Sequence, residues 1–342
     1  MSSTMDARPA TWAPTVFDTD EWLAAWTRAT IERQHVLHAG RPPRYLLSDS
    51  PFWRGYEDEV GTGTVWDRPL LTVGSVYSVF GPAFMADDPA AVGALVDNAR
   101  VEAADLDAAG VMVFNLPPEA AHRWAAARRP DSVIRLDHAY AKVPGVGADP
   151  VMGDVRKNAR TEWRRRWRRA TEQNVRLVYE HSPTEARIDR VLELTNGSAV
   201  KHDWPALYDK ETFVAVLGVP GAHLILCEWG DLTVGAFVAF EHDNRQYLWA
   251  GGTDPSVYAE VSPYKFMLYE LMAQGVERGI DRIEFGRGND EFKRRHGFTG
   301  VPLWSLWYAA RPGEADVYRP RLTALHDGLA TAQGYDGLAQ QV

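Results

Sequence analysis

Cysteine is nearly absent from this 342-residue chain, which contains Cys227 alone. No internal disulfide can form, and no Cys-ligated zinc or iron–sulfur site can be built. Long hydrophobic runs are missing as well. The most apolar stretch, 223–240, is interrupted by Glu228 and Asp231. It falls well short of the ~20 apolar residues a membrane helix requires, so no membrane insertion is expected. The opening MSSTMDARPATWAP lacks the charged-then-apolar pattern of a signal segment, and a reduced cytoplasmic setting is the expectation. No P-loop, dinucleotide fingerprint or serine-nucleophile motif occurs, and no His/Asp/Glu spacing suggests a metal. Positive charge is in deficit, with 37 Lys plus Arg against 46 Asp plus Glu and a net charge of -9. That balance excludes indiscriminate coating of nucleic acid.

What is present reads as an ordinary globular chain, 45% hydrophobic and 24% charged. Its length exceeds what one core usually serves, so two domains are expected. The charge is not spread evenly. Between Arg156 and Arg169 eight basic residues face one acid, Glu162, which leaves the remainder of the chain at −16. Ala159, Trp163, Trp167 and Ala170 recur there at helical spacing without Pro or Gly. The pattern predicts an amphipathic helix with an aromatic seam and a basic outer face. One reading of that face is a solvated surface paired with acids elsewhere. The other is a local receptor for the phosphates of coenzyme A, a nucleotide-linked substrate or tRNA.

The order of elements repeats. Residues 70–80 read as a strand, followed by an Ala-rich helix from Asp88 to Ala109 stopped by Gly110. A strand (111–116), a helix from Pro118 and a strand (133–143) follow. The second half gives a strand at 245–252 and a helix opened by Ser262–Pro263 as N-cap and first turn and ended by Gly279. Strand 282–286, a short helix at 289–297 and strand 301–310 complete it. Gly81 to Gly110 spans 29 residues and Gly252 to Gly279 spans 27; Val111 to Val133 spans 22 and Arg282 to Leu303 spans 21. A duplicated unit accounts for these spacings. Before the repeated part, the second half adds a strand (175–181), helices at 184–202 and 209–218, and a hairpin around Gly230–Asp231. The class is a mixed α/β (α+β) sheet, not a doubly wound one. The expected division is 1–145, 151–312 and a helical tail 313–342, with Gly/Pro-rich 144–150 as the break.

The stretch from Trp249 to Phe298, WAGGTDPSVYAEVSPYKFMLYELMAQGVERGIDRIEFGRGNDEFKRRHGF, resembles the GNAT acyltransferase superfamily. More narrowly it resembles the Fem-type aminoacyl transferases and their CelD-like and peptidoglycan-biosynthesis relatives. Gly252, Tyr258, Ser262–Pro263, Gly279–Asp281, Phe292–Lys293 and Phe298 carry the resemblance. It implies two tandem GNAT-like domains, the second better formed, and acyl transfer to an amine without a metal. The donor it implies is acyl-CoA; the alternative is aminoacyl-tRNA engaged through the 156–169 helix, and a further alternative is a non-catalytic binding protein. The acceptor would be a small or nucleotide-linked amine. Acetyl-CoA-binding members carry a glycine-rich turn before the long helix, and TDPSVYAEVSPYK has none. Backbone N–H groups at the helix start can still receive a phosphate.

The resemblance places the donor at Ala250, Gly251, Gly252, Ser262, Pro263, Tyr264 and Lys265. It makes Lys293 the leading candidate for stabilising an oxyanion or holding an anionic substrate group. His202 and Glu284 are the candidate general bases. Tyr258 is a candidate acid for the leaving group. Acceptor contacts are expected at Tyr77, Phe80, Asp203, Trp204, Arg287 and Phe292. For Tyr77 and Phe80 core packing is the competing reading, and for the glycines a bulge or turn is.

Overall fold

A computed structural model describes residues 14–26, 34–38, 42–48, 50–146, 149, 151–153, 155–201 and 206–334. The first half contains α1 (Asp20–Trp26), β1 (Gln34–His38), β2 (Arg44–Leu47), α2 (Pro51–Val60), β3 (Leu70–Val73), α3 (Pro89–Asp105), β4 (Gly110–Leu116), α4 (Pro118–Ala127) and β5 (Ser132–Lys142). The second begins with α5 (Lys157–Glu172), β6 (Arg176–Glu180), α6 (Glu185–Val200), α7 (Lys210–Leu217), β7 (Ala222–Trp229), β8 (Leu232–His242) and β9 (Arg245–Thr253). It ends with α8 (Tyr258–Val261), α9 (Pro263–Arg278), β10 (Arg282–Glu284), α10 (Asp290–Arg295), β11 (Thr299–Ala309) and α11 (Glu314–Ala332).

The eleven strands among the described residues join one mixed sheet in the order β1-β2-β3-β4-β11-β5-β10-β9-β8-β7-β6. The last strand of the second half, β11, lies between β4 and β5 of the first, and β5 in turn pairs with β10 of the second. Each half has therefore given its final strand to the other. Outward from the β11–β5 pair the two sides match: an antiparallel neighbour, then a parallel pair (β3–β4 or β9–β10), then antiparallel strands. This is the tandem architecture the spacings implied, with an exchange that spacing alone does not reveal.

Alternate residues serve opposite faces of the sheet, as strand geometry requires. On one face α1, α2, α6, α7 and α11 cover a core that includes Met112, Phe114, Leu224, Phe240 and Trp307. The other face carries two cores, one under α5 and α9 and one under α3 and α4. The first core is dominated by aromatics. Trp26 stacks on Tyr77 at 4.7 Å, Trp22 packs edge-on against Trp249 at 5.6 Å, and Trp249 Nε1 donates to Tyr77 O at 3.0 Å. Full burial of rings this large contributes roughly 2–3 kcal/mol each.

Several local expectations are corrected. The strand expected over 70–80 ends at Val73, because Gly74 turns with φ +79 against the Pro82 ring. Residues 75–80 instead form a loop laid over β9, and Tyr77 (1% exposed) and Phe80 (3%) are core residues. Asp88 caps α3 by accepting from Ala91 N at 3.0 Å, as expected. The helix nevertheless ends at Asp105, and Gly110 opens β4 where a Cβ would meet Trp307 and Tyr308 of β11. Helix α11 begins at Glu314 and buries Tyr318, Leu322, Leu325 and Leu329 in the first core.

Gly252 is required by packing. A Cβ there would lie 1.9 Å from Leu194 O, in the backbone of α6. Gly252→Ala should therefore cost at least about 2–3 kcal/mol, since a helix backbone has little room to retreat. Gly197 sits on an exposed face of the same helix with nothing near its missing Cβ. Gly197→Ala should stabilise by about 0.5–1 kcal/mol. Chemical denaturation of the two variants checks both signs.

Candidate active site

The sheet opens between β9 and β10. Their parallel pairing covers only Arg245–Tyr247 against Arg282–Glu284. Beyond Tyr247, β9 has no strand partner on that edge among the described residues, because β10 turns to β5: Phe285 N donates to Tyr140 O, and Tyr140 N to Gly286 O. On its other edge β9 bulges at Trp249, where Val238 pairs with Ala250 and Ala239 with Leu248. Bulges re-aim backbone groups and cluster beside active sites. The open edge from Trp249 to Thr253 includes Ala250, Gly251 and Gly252 of the expected donor site. Their glycines have packing reasons first: a Cβ on Gly251 would meet Phe237, and one on Gly252 would meet α6.

The start of α9 faces this opening. Ser262 occupies the N-cap position, but in a left-handed conformation (φ 45) and with no side-chain cap. Its Oγ instead donates to Tyr258 O at 2.9 Å and accepts from Arg166 Nη1 at 2.6 Å. Pro263 follows as the first helical residue. Arg166 comes from the basic helix α5, whose seam behaves as the sequence predicts. Trp163 is buried against His296 and Phe292, while Trp167 stacks on Tyr269 and donates to Glu270 at 2.6 Å. The Arg166 guanidinium also lies 5.5 Å from the exposed Tyr258 ring. Lys265, one helical step on, is half-buried; burial first, then Arg166 and Arg165, push its ammonium pKa down. His296 is pushed down by burial too, with Lys265, Lys142 and Arg295 adding to the effect. The first turn of α9 has no acid, and Glu162 is the acid pressing on Lys265. Cations thus crowd the positive end of a helix dipole, where an anion is the favoured neighbour. Tyr264 and Phe292 lie 5.4 Å apart beside it, and burial pushes the Tyr264 hydroxyl up to about 12.

The rest of α5 divides between the two readings of its charge. Arg164 pairs with the buried carboxylate of Asp149, and Arg165 and Arg166 pair with Glu162. Arg156, Lys157, Arg168 and Arg169 are exposed and form no ion pair among the described residues.

Lys293 is placed differently from expectation. It is 3% exposed, and its Nζ donates to Phe285 O (2.8 Å), Gly286 O (3.2 Å) and Arg287 O (3.0 Å). An ammonium has three N–H donors, so none remains for a substrate. Lys293 instead pins the 285–289 loop, in which Gly286, Gly288 and Asn289 all have positive φ. Gly286 is needed there, since its missing Cβ would sit 3.1 Å from Leu248 O. Arg287, carried by this loop, donates to Val76 O of the first half at 3.1 Å.

Glu284 is buried on β10 and bonded to Arg282 at 2.6 Å. Burial pushes its carboxyl pKa up, against Arg282. Tyr77 and Phe80 are buried in the first core. His202, Asp203 and Trp204 lie outside the described residues. Sequence reasoning missed Asp137, Tyr56, Glu59 and Asp290, which gather near Arg287 and Lys293. An acid inside the apolar strand VIRLDHAYAK was the available signal. Among the described residues no group of His, Cys, Asp or Glu is placed to hold a metal, and no helix is long and apolar enough to cross a membrane. A cavity of about 320 Å3 between α2 and β3, lined by Trp53, Glu57, Trp66 and Arg68, is remote from the β9–β10 opening.

Replacing Lys293 by Met takes that donor from the Phe285 and Arg287 carbonyls, while Gly286 O keeps Tyr140 N, and should cost about 2–4 kcal/mol. The pH dependence identifies the cause. Burial pushes the ammonium from 10.5 down to about 8. Below pH 8 it is charged in both states; between 8 and 10.5 the unfolded chain binds a proton that the folded one lacks. Wild-type stability should therefore rise with pH across that window relative to Lys293→Met, as denaturant titrations at several pH values will show.

Residues 157–294 match the family model described as an acetyltransferase (GNAT) domain. No curated protein sequence matches the chain at a significant level. Three solved structures share its architecture over nearly the full length. The C-terminal domain (DUF2156) of a protein from Agrobacterium fabrum described as a lysylphosphatidylglycerol synthetase aligns with TM-score 0.56 and 12% identity, covering 91% of this chain and 94% of its own. FemX aligns with TM-score 0.56 and 11% identity, covering 90% and 98%. L-PGS from Bacillus licheniformis gives 0.53 and 9%, covering 90% and 97%. At these identities the likeness is one of fold. Residues 157–294 thus match a GNAT acetyltransferase domain, and the chain as a whole has a tandem GNAT-like fold of Fem-like architecture.

Proposed function

We propose that the chain transfers an aminoacyl group from a nucleic-acid carrier to an amine, the carrier lying along α5 and the start of α9. The observation that carries this reading is the length of the cationic surface. It runs from Lys265 and Arg166 at the start of α9 along α5 to Arg168 and Arg169. At 16 residues α5 alone is about 24 Å long, enough for several successive phosphates and more than a single pyrophosphate uses. The missing glycine turn agrees: Arg166 already fills the α9 start where a cofactor pyrophosphate would otherwise press close.

In this arrangement the ester carbonyl enters the β9–β10 opening, and its developing oxyanion is met by the unpaired edge of β9. The acceptor amine approaches from the cleft between the halves. A second reading, acyl-CoA as donor, is favoured by the matched acetyltransferase model. Lys265 and Arg166 would then hold the diphosphate.

Binding separates the two. Arg165, Arg168 and Arg169 are exposed, so their replacement by Glu spares the Arg164–Asp149 pair. Fluorescence anisotropy with deacylated tRNA should show affinity falling steeply with salt. The log–log slope should shrink by about 0.7–0.9 for each phosphate that the triple variant no longer neutralises. Salt-insensitive tRNA binding, unchanged in the triple variant, together with saturable CoA binding would overturn the nucleic-acid carrier in favour of CoA.

A further inference from the structure

Beside the pinned loop lie charges of both signs that form no ion pair with one another among the described residues. Arg287 has one hydrogen bond, to Val76 O, and lies 5.0 Å over the Phe52 ring. Among the described residues it forms no ion pair, so four of its five N–H donors are unspent. Its guanidinium is half-buried and fixed from both sides, since Lys293 holds its backbone and the first half holds its tip. Asp137, 7% exposed on β5, lies within its electrostatic reach, and both meet α2, Arg287 over Phe52 and Asp137 on Tyr56. One carboxylate oxygen of Asp137 accepts from Tyr56 Oη of α2 at 3.1 Å and the other from His138 N at 2.8 Å. Glu59 of α2 and Asp290 of α10 add like charge to the same region. Asp290 accepts from Tyr140 Oη at 2.6 Å. This cluster thus offers an unspent guanidinium next to an excess of carboxylates, an arrangement complementary to a zwitterion.

We propose that the acceptor is an α-amino acid, or a larger molecule presenting one, with its carboxylate on Arg287 and its ammonium at Asp137. This rests on the reading that the chain acylates an amine. Asp137 takes one proton from the ammonium, which leaves a neutral amine. The amine nitrogen forms a bond to the carbonyl carbon, the ester C–O bond breaks, and the second amine proton leaves with the carrier oxygen as a hydroxyl. Asp137 then returns its proton to solvent. Burial pushes the Asp137 carboxyl up; Asp290 adds to this, while Arg287, the His138 N–H and Lys293 work against it. Tyr56 and Glu59 complete the groups facing it. Loss of Arg287 must therefore move its titration to higher pH.

Calorimetric titration of the full chain with each of the twenty L-α-amino acids tests the site without any donor. The tightest should lose at least ten-fold affinity as its decarboxylated amine and again as its N-acetyl derivative. In Arg287→Gln the amino acid and its decarboxylated amine should bind alike. In Asp137→Asn the amino acid and its N-acetyl derivative should bind alike. Glu59→Gln, an exposed position, should weaken ammonium recognition by a smaller factor and keeps the test available if Asp137→Asn does not fold. Wild-type binding should weaken as pH falls through the Asp137 titration, with a higher midpoint in Arg287→Gln. Absence of amino-acid binding at millimolar concentration, or equal binding of all three forms by wild type, overturns the proposal. Salt-dependent tRNA binding with no amino-acid binding sinks this acceptor alone, whereas failure of the tRNA test leaves this titration untouched.

Discussion

The backbone ladder β4–β11–β5–β10 carries the rest of the structure. Because each half donates its last strand to the other, the halves cannot part without breaking strand pairs at the centre of the sheet. The same exchange makes the opening. β10 pairs with β5 from Ile283 onward, and its departure from β9 leaves the Trp249–Thr253 edge without a strand. An opening of this kind would be a weakness in an isolated sheet, where unpaired backbone is costly or sticky. Here it is bounded by an aromatic core on one face and by α9 on the other. The loop that turns away from it is pinned by a buried lysine on three carbonyls.

Charge then differentiates the two approaches to that opening. On the α9 side, cations from α5, α9 and α10 collect around a helix start that has no acid in its first turn. On the α2 side, carboxylates outnumber the one unspent guanidinium. An acyl carrier rich in phosphate and an acceptor amine that arrives as an ammonium would each be drawn to the matching side. Neither approach requires Lys293 as a reacting group. Its contribution is to hold Arg287 and Gly286 in a conformation that the left-handed residues permit and the three hydrogen bonds select.

Local order is legible in the sequence wherever periodicity and punctuation agree. The basic helix, its Trp163 and Trp167 seam, the hairpin at Gly230–Asp231 and the Gly279 stop all stand where the pattern puts them. The repeat is legible too, since equal spacings survive even when partners change. The strand exchange is not, because pairing partners leave no trace in the order of elements. The loop 75–80 reads as strand because its residues are as apolar as a strand's. Only the approach of Pro82 to Gly74, a distant contact, shows the turn. Resemblance singles out Lys293 but gives no hint of its three carbonyl partners, because its burial and those partners depend on a loop whose shape no local rule specifies. Asp137 escapes notice because an acid within a strand becomes informative only when its face is known to be buried.

The central claim is that the β9–β10 opening transfers an aminoacyl group delivered by a phosphate-rich carrier. It is tested most directly by the mass of the product formed from one mixed pool of acetyl-CoA and aminoacyl-tRNA donors with an amine acceptor. The acceptor should gain the mass of one amino-acid residue. Gain of an acetyl group alone would contradict it.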